Sequence, residues 1–535
     1  MNLKKTDLVW ILPLALVLGA GLSSLQPGNW WIGFASFSFL FLLSLTILQF
    51  SYRWSNGGRT LGLILSFAFA LRLLVGVSLY VFLPIYGHGD ADDKSGFVFT
   101  DAHRRDDEAW KLASSDRFIL EAFNKKFAYD QYGGLLAFSA LVYRYLSPDA
   151  HRPLLLALMS AIVAALGIPF LWKAVSQVFG EKVAWAVAWI FALYPESILL
   201  GASPMREPYL LMFSAMALYG FVNSGVRELA PATNASKLAD SRVAARIWLA
   251  LSLLGMILVS PAVALATLII FAGWMWSTTS ERGAISWKAI LVFAIIFVLG
   301  LFFLSASLNR SGEFDSSSPL SVVNDWLKLA VNWNVYRIER ESGWIQKLFD
   351  EMPEWMRLPF VAIYGILQPV LPATLIKPTE LIWKIIYILR ALGWYTLLPL
   401  LILSFGAGSG PGFAQRRSLI QWLALLTWAW ILLAALRGGG DQWDNPRYRT
   451  ILFLWQAILA GIVWVWWQEA RSRWVMRLVA CEAAFLIVFT QWYASRYYHW
   501  GGQLPFAAMI ALIFGLWVII LLAGWWRDRK RVSIP

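Results

Sequence analysis

Carboxylates are scarce in this chain, and where they gather is the first clue to its chemistry. One polar stretch carries Asp90, Asp92, Asp93 and Asp101, followed by Arg104-Arg105-Asp106-Asp107-Glu108-Ala109-Trp110. A hydroxyl does not readily give up its proton at neutral pH, and a carboxylate held beside it can take that proton as a general base. Asp106, Asp107 and Glu108, with His103, also make an oxygen-rich set that could ligate Mg²⁺ or Mn²⁺. A solvated loop has the same composition. What favours chemistry is the apolar segment just before it, which holds Arg72 within Phe69-Ala70-Leu71-Arg72-Leu73-Leu74. A charge inside hydrocarbon is costly unless it is paired or faces a cavity. Arg72 therefore marks a polar pocket opening beside the acids, or else a tie between helices or a snorkelling side chain.

A second acidic spot runs from Tyr194-Pro195-Glu196-Ser197 to Ser203-Pro204-Met205-Arg206-Glu207-Pro208. Glu207 opens a helix there, and an acid in a first turn is favoured by the helix dipole. It is either a cap or a buried acid turned toward the first polar stretch. The third spot, Gly438-Gly439-Gly440-Asp441-Gln442-Trp443-Asp444-Asn445-Pro446-Arg447-Tyr448-Arg449, offers two guanidinium groups at a helix start. Guanidinium binds phosphate through paired hydrogen bonds, so Arg447 and Arg449 can hold a lipid phosphate or anchor among ordinary head groups.

The elements that position these residues follow from hydropathy. The 535 residues are 59% hydrophobic and 14% charged, with a mean hydropathy of +0.60; soluble chains carry about 25% charge. Apolar runs long enough to cross about 30 Å of hydrocarbon recur throughout, and in lipid such runs must be helical. The expected fold class is all-α, a polytopic membrane helical bundle of about 14 spans. The predicted spans are residues 8–24, 31–50, 61–85, 154–172, 184–203, 207–223, 247–259, 262–277, 289–307, 384–405, 419–436, 450–468, 475–493 and 505–526. Ser260-Pro261 splits one long run into a helical hairpin. Residues 359–376, interrupted by Pro369 and Pro372, read as a re-entrant or interfacial helix on the outer face.

Basic residues in short loops mark the cytoplasmic side. Lys4, Lys5, Arg53, Arg59, Arg416, Arg417, Arg471, Arg473, Arg477 and the final Arg527-Asp528-Arg529-Lys530-Arg531 are then inside. Residues 87–153, 309–357 and 438–449 are outside, so all three chemical spots share one face and Arg447 and Arg449 lie against the positive-inside bias. The net charge of +13 is dispersed over these loops and needs no nucleic-acid partner. The lone Cys481 excludes an intrachain disulfide or a cysteine metal site. Many of the 32 tryptophans fall near span ends, as an interfacial belt requires, though some could stack on sugar rings. No repeat or low-complexity tract stands out, and the N-terminus reads as an uncleaved signal-anchor.

An intramembrane Arg-Leu followed by outer-loop Asp107-Glu108-Ala109-Trp110 resembles the opening of the C-type membrane glycosyltransferases, including bacterial protein O-mannosyltransferases and lipid A aminoarabinose transferases. The Tyr194-Pro195 turn, Arg206-Glu207 and Asn445-Pro446-Arg447-Tyr448-Arg449 continue the resemblance, which covers residues 61–224 well and 437–468 fairly. The chain departs from the pattern in two helices placed before the family's usual first span, in Trp110 standing where Tyr is commoner, and in the lack of a large soluble domain after the last span. The resemblance divides it into two additional spans (1–58), a catalytic membrane module (59–307) and a variable membrane module (308–535).

It implies a multi-pass enzyme of a bacterial inner membrane and cell envelope, acting outside the cytoplasm. Such enzymes move a sugar from a polyprenyl-phosphate donor to a glycan, lipid or protein acceptor, with inversion. It implies Asp107 as base, with Asp106 or Glu108 as alternatives, and Glu207 orienting the acceptor or an Arg. Arg447, Arg449, Tyr448, Arg206 and Arg72 would meet the donor phosphate. No cofactor or metal is expected, with Mg²⁺ or Mn²⁺ as the exception. A polymerase or ligase using a lipid-linked glycan would share the donor and lean on loop 309–357. A lipid-linked sugar flippase would need polar residues through the bilayer.

Overall fold

The computed structural model describes residues 5–124, 133–224, 235–279, 351–408 and 412–532, with a few single positions between 291 and 349. Every described element is helical. The predicted span 289–307 and nearly all of the outer loop 309–357 lie outside the described residues.

The chain forms two compact units, Met1–Asn332 with Thr450–Ile458, and Trp333–Arg449 with Leu459–Pro535. In the first unit, α1 (Lys5–Ser24) and α2 (Trp30–Ser55) form a hairpin. Asp7 on α1 pairs with Arg53 on α2 at 2.5 Å, and Gly19 lets α2 approach so closely that a Cβ there would sit 2.7 Å from the Ser38 amide nitrogen. Asn29 starts α2 by accepting from the Trp31 amide at 2.9 Å. Next come α3 (Gly58–Tyr86), the four-residue α4 (Ala91–Lys94), α5 (Thr100–Ala113) and α6 (Gly134–Leu146). Helix α7 (Leu154–Phe179) is buried along most of its length and forms the core of this unit. On it pack α8 (Glu181–Leu193), α9 (Pro195–Gly201) and α10 (Glu207–Asn223), with α11 (Ala235–Val259) against α10 and α12 (Pro261–Thr279) against α11. Ser260 separates the last two, as its Pro261 neighbour requires.

The second unit holds Leu381–Ala407, Arg417–Gly438, Arg473–Tyr497 and Phe506–Val532 as long apolar helices. Residues 359–376 fall in two short pieces, Glu354–Leu367 and Leu371–Ile376, neither long enough to cross a bilayer.

Nine described helices are long and apolar enough to span, or 11 when the bent pairs α8–α9 and Asp444–Thr450 with Phe453–Ala470 each count as one. The difference from 14 has a plain origin. Span 289–307 is not described, the apolar part of α1 is short (Val9–Ser24), and α10 has 17 residues, about 25 Å at 1.5 Å per residue.

Candidate active site

The helix period sorts the acids of α5. Ala102, Arg105, Asp106, Ala109, Leu112 and Ala113 are buried, an i, i+3/i+4 stripe that carries Asp106 inward. Asp107, about 100° further round, keeps a half-exposed carboxylate. Glu108, 23% exposed, pairs with Lys111 at 3.1 Å.

Asp106 is 0% exposed and its partners come from far along the chain. The Tyr143 hydroxyl on α6 donates to its Oδ1. Burial and then the Asp106 charge push the Tyr143 phenol well above its ordinary value, so it remains a donor. His151 Nε2 stands 2.7 Å from Asp106 Oδ2. The imidazole is stacked on Trp110 at 5.3 Å and 13°, with Tyr143 edge-on at 5.2 Å. The departure at Trp110 thus has a structural use, since its indole is the platform for His151.

Asp107, at the rim, lies 3.8 Å from His103 Nε2. His103 Nδ1 meets Asp92 at 2.7 Å, Asp92 accepts from Thr100 Oγ1 at 2.5 Å, and Phe97 stacks on the ring at 5.1 Å. Asp93 is 0% exposed and accepts from the His88 amide, while Asp90 accepts from the Asp93 amide at 2.8 Å. These loop acids are therefore parts of a folded segment and not interchangeable solvated charge.

One oxygen each from Asp106 and Asp107 and one nitrogen from His151 lie within 4.8 Å of one another. Asp106 Oδ2 and His151 Nε2 are buried, and although close they form no well-directed hydrogen bond. Two carboxylates and an imidazole suit a divalent ion such as Mn²⁺ or Zn²⁺, so the residues fit one. His151 takes the place that sequence reasoning gave to Glu108 and His103. It went unnoticed there, although it is one of only four histidines and closes the acidic segment in Asp149-Ala150-His151.

The second acidic spot belongs to the same unit. Arg105 Nη1 donates to Pro204 O at 3.1 Å, tying α5 to the turn that precedes α10. Glu207, 0% exposed, opens α10 with Arg206 Nε 3.5 Å from its Oε1.

Arg72 is fully buried and serves the α8–α9 break, a bend of 57°. Pro195 has no N–H to give the Phe191 carbonyl, and lipid would give none either. Arg72 Nη2 donates to Phe191 O at 3.1 Å and Ser197 Oγ at 3.1 Å, and Nη1 to Ala192 O at 3.2 Å and Ala68 O at 3.0 Å. Each buried carbonyl left without a donor costs about 1–3 kcal/mol. Arg72→Leu should therefore lower the thermal unfolding temperature in detergent sharply, and Arg72→Lys should rescue little because one ammonium cannot span both sides of the break. Unchanged melting of Arg72→Leu would remove this role.

In the second unit, Arg449 is buried, stacks 3.3 Å from the Trp394 ring centre, and donates to Ile366 O at 3.3 Å and Gln368 O at 2.9 Å. Trp394 Nε1 also donates to Ile366 O at 2.7 Å, so both groups close the end of Glu354–Leu367. Arg447 lies 3.6 Å from Asp444 and over the Tyr448 ring at 5.0 Å. Arg437 covers the same ring at 4.7 Å, and Arg390 stacks on Trp443 at 4.1 Å. Asp441 Oδ1 holds the turn by accepting from the amides of Trp443 at 2.7 Å and Asp444 at 2.8 Å.

No protein-family model matches the chain, and no curated protein matches it. Among solved structures it is similar to an oligosaccharyltransferase of Archaeoglobus fulgidus in complex with zinc and sulfate, with 15% identity and a TM-score of 0.39, over 82% of this chain and 54% of that one. The same enzyme tethered to an acceptor peptide containing an NVT sequon gives 13% identity and a TM-score of 0.36, over 88% and 55%. The chain thus spans about half the length of these structures. At that similarity the likeness assigns no activity.

Proposed function

We propose that the protein is a membrane glycosyltransferase that moves a sugar from a polyprenyl-phosphate donor to an acceptor hydroxyl on the face opposite its N-terminus, with inversion. The observation that carries this reading is the construction around Asp106. A buried carboxylate accepts from Tyr143 and faces His151 directly beside a half-exposed Asp107, on a helix tied to the turn before Glu207.

Asp107 takes the proton of the acceptor hydroxyl as its oxygen bonds to the anomeric carbon, while the bond from that carbon to the phosphate oxygen breaks. The lipid phosphate leaves with the electron pair. Inversion follows when base and leaving group occupy opposite faces of the sugar, the rule that holds for inverting glycosidases. Arg447 holds the departing phosphate, whose growing charge a preorganised guanidinium favours. Asp106, Asp107 and His151 would hold a divalent cation, which when bound would supply positive charge beside the acceptor-side carboxylates. Arg72 keeps the α8–α9 break in place, and Arg449 the end of Glu354–Leu367.

Purified protein reconstituted in vesicles tests the reading and its sidedness together. Candidate polyprenyl-phosphate sugars are supplied in the bilayer and acceptor hydroxyl compounds on one side only. Free polyprenyl phosphate is expected to appear when acceptor is on the side opposite the N-terminus. Release only from the N-terminal side would reverse the topology. Passage of the intact donor across the bilayer without release would make it a flippase.

A further inference from the structure

The two helices that precede the catalytic-looking module lie outside the pattern the rest of the chain resembles, and their turn touches the segment that carries His151. Asn29 N donates to Asp149 Oδ2 at 2.8 Å, and Asn29 O accepts from Arg152 Nη2 at 2.9 Å. Arg152, 1% exposed, closes a bidentate pair on Asp149 at 2.6 and 2.7 Å and reaches Ser147 Oγ at 2.9 Å. Gly28, at φ +88°, fits because it lacks a side chain: a Cβ there would meet Ala150 Cβ at 2.4 Å and Arg152 Nη2 at 2.7 Å. Gln26 Oε1 accepts from the Leu154 amide at 3.5 Å, at the start of α7. His151 sits between the two clamped residues, Asp149 and Arg152, and projects onto Trp110 and Asp106.

We propose that the α1–α2 turn is a positioning device for His151: it grips Asp149 and Arg152 and so holds the imidazole against Asp106. A membrane anchor needs none of these contacts. The opposite end of the hairpin is closed independently by Asp7 and Arg53, so anchoring and positioning can be perturbed separately. Partners that orient a metal-binding histidine are typically worth about 10–100-fold in metal affinity, the size of effect expected here. The inference rests on the proposed role of His151 in the centre, and the test below keeps the two apart.

Two readouts on the full-length protein serve, neither requiring turnover. One is the rate at which diethyl pyrocarbonate modifies His151, followed by peptide mass spectrometry with His88 and His499 as internal references. The other is affinity for Mn²⁺ alone. Asp149→Asn, nearly isosteric, and Gly28→Ala, which drives a methyl into the clamp, should each raise the His151 rate several-fold while His88 and His499 stay unchanged. Mn²⁺ affinity should fall about 10–100-fold in both. Arg53→Gln, which loosens the far end of the hairpin, should leave both readouts at wild type. If Asp149→Asn folds and both readouts remain at wild type, the turn does not position His151. A general rise at all histidines would show loosened folding instead and would equally overturn the proposal. His151→Ala tests the underlying reading. Unchanged Mn²⁺ affinity there would end the cation role, and the modification rates of Asp149→Asn and Gly28→Ala would still decide the positioning claim.

Discussion

Asp107→Asn is expected to lower sugar transfer by roughly 10²–10⁴-fold, the usual loss when a general base is removed, with folding and donor binding kept. Its carboxylate is half exposed, so the amide replaces it without leaving a buried hole or an unpaired charge. Asp106→Asn differs in kind. That carboxylate is 0% exposed, accepts from Tyr143 and faces His151, so its loss should disturb the packing of α5 on α6 as well as turnover. Glu108→Gln should cost little, because Glu108 is spent on its pair with Lys111. The three substitutions thus rank the candidate bases in one experiment, read as free polyprenyl phosphate per minute alongside the melting temperature. Turnover of Asp107→Asn within a few-fold of wild type would remove it as base. Collapse in Asp106→Asn with unchanged melting would move the role by one residue.

Arg447→Ala and Arg449→Ala should fail in different ways, and both effects should be large. Arg449 donates to two main-chain carbonyls and stacks on Trp394. Its removal takes the Arg449 donor from the Gln368 carbonyl, at about 1–3 kcal/mol, leaves Ile366 O to Trp394 Nε1 alone, and strips the packing on Trp394, so the expected result is a marked drop in melting temperature or failure to accumulate. Arg447, 6% exposed, packs over Tyr448 beside Asp444, so Arg447→Ala loses packing and an ion pair and should lower the melting temperature as well. Its donor affinity should fall by about 2–4 kcal/mol, the cost of a lost charge-assisted phosphate contact, or roughly 30- to 1000-fold. Arg447→Lys should recover little of it, because an ammonium lacks the planar fork. Binding of a polyprenyl-phosphate sugar to each purified variant checks this. Wild-type affinity in Arg447→Ala would end the phosphate role, and wild-type melting in Arg449→Ala would end the structural one.

Local periodicity settled much of the architecture before any coordinates. Apolar runs of bilayer length placed both ends of α3 and α10 within three residues and the starts of α2 and α7 within one, though α2 and α7 run on to Ser55 and Phe179. Pro261 and Pro369 marked breaks, but the span expected over 184–203 is broken at Pro195, while Pro84 and Pro169 are carried inside continuous helices, so a proline by itself does not say where a helix ends. The acids and arginines worth naming were also visible, since charge is rare in so apolar a chain. What periodicity could not supply was partnership. Arg72 read as a candidate phosphate ligand, and only the fold shows it spent on carbonyls about 120 residues away, freed by a proline in another helix. His151 and Tyr143 carried no signal of their own, because their meaning comes from converging on Asp106 across gaps of 45 and 37 residues. Asn29 and Asp149 meet across a separation of 120. Hydropathy acts on each segment by itself and so can be read along the chain. A hydrogen bond between side chains of different helices depends on how those helices pack, and only the tertiary structure decides that.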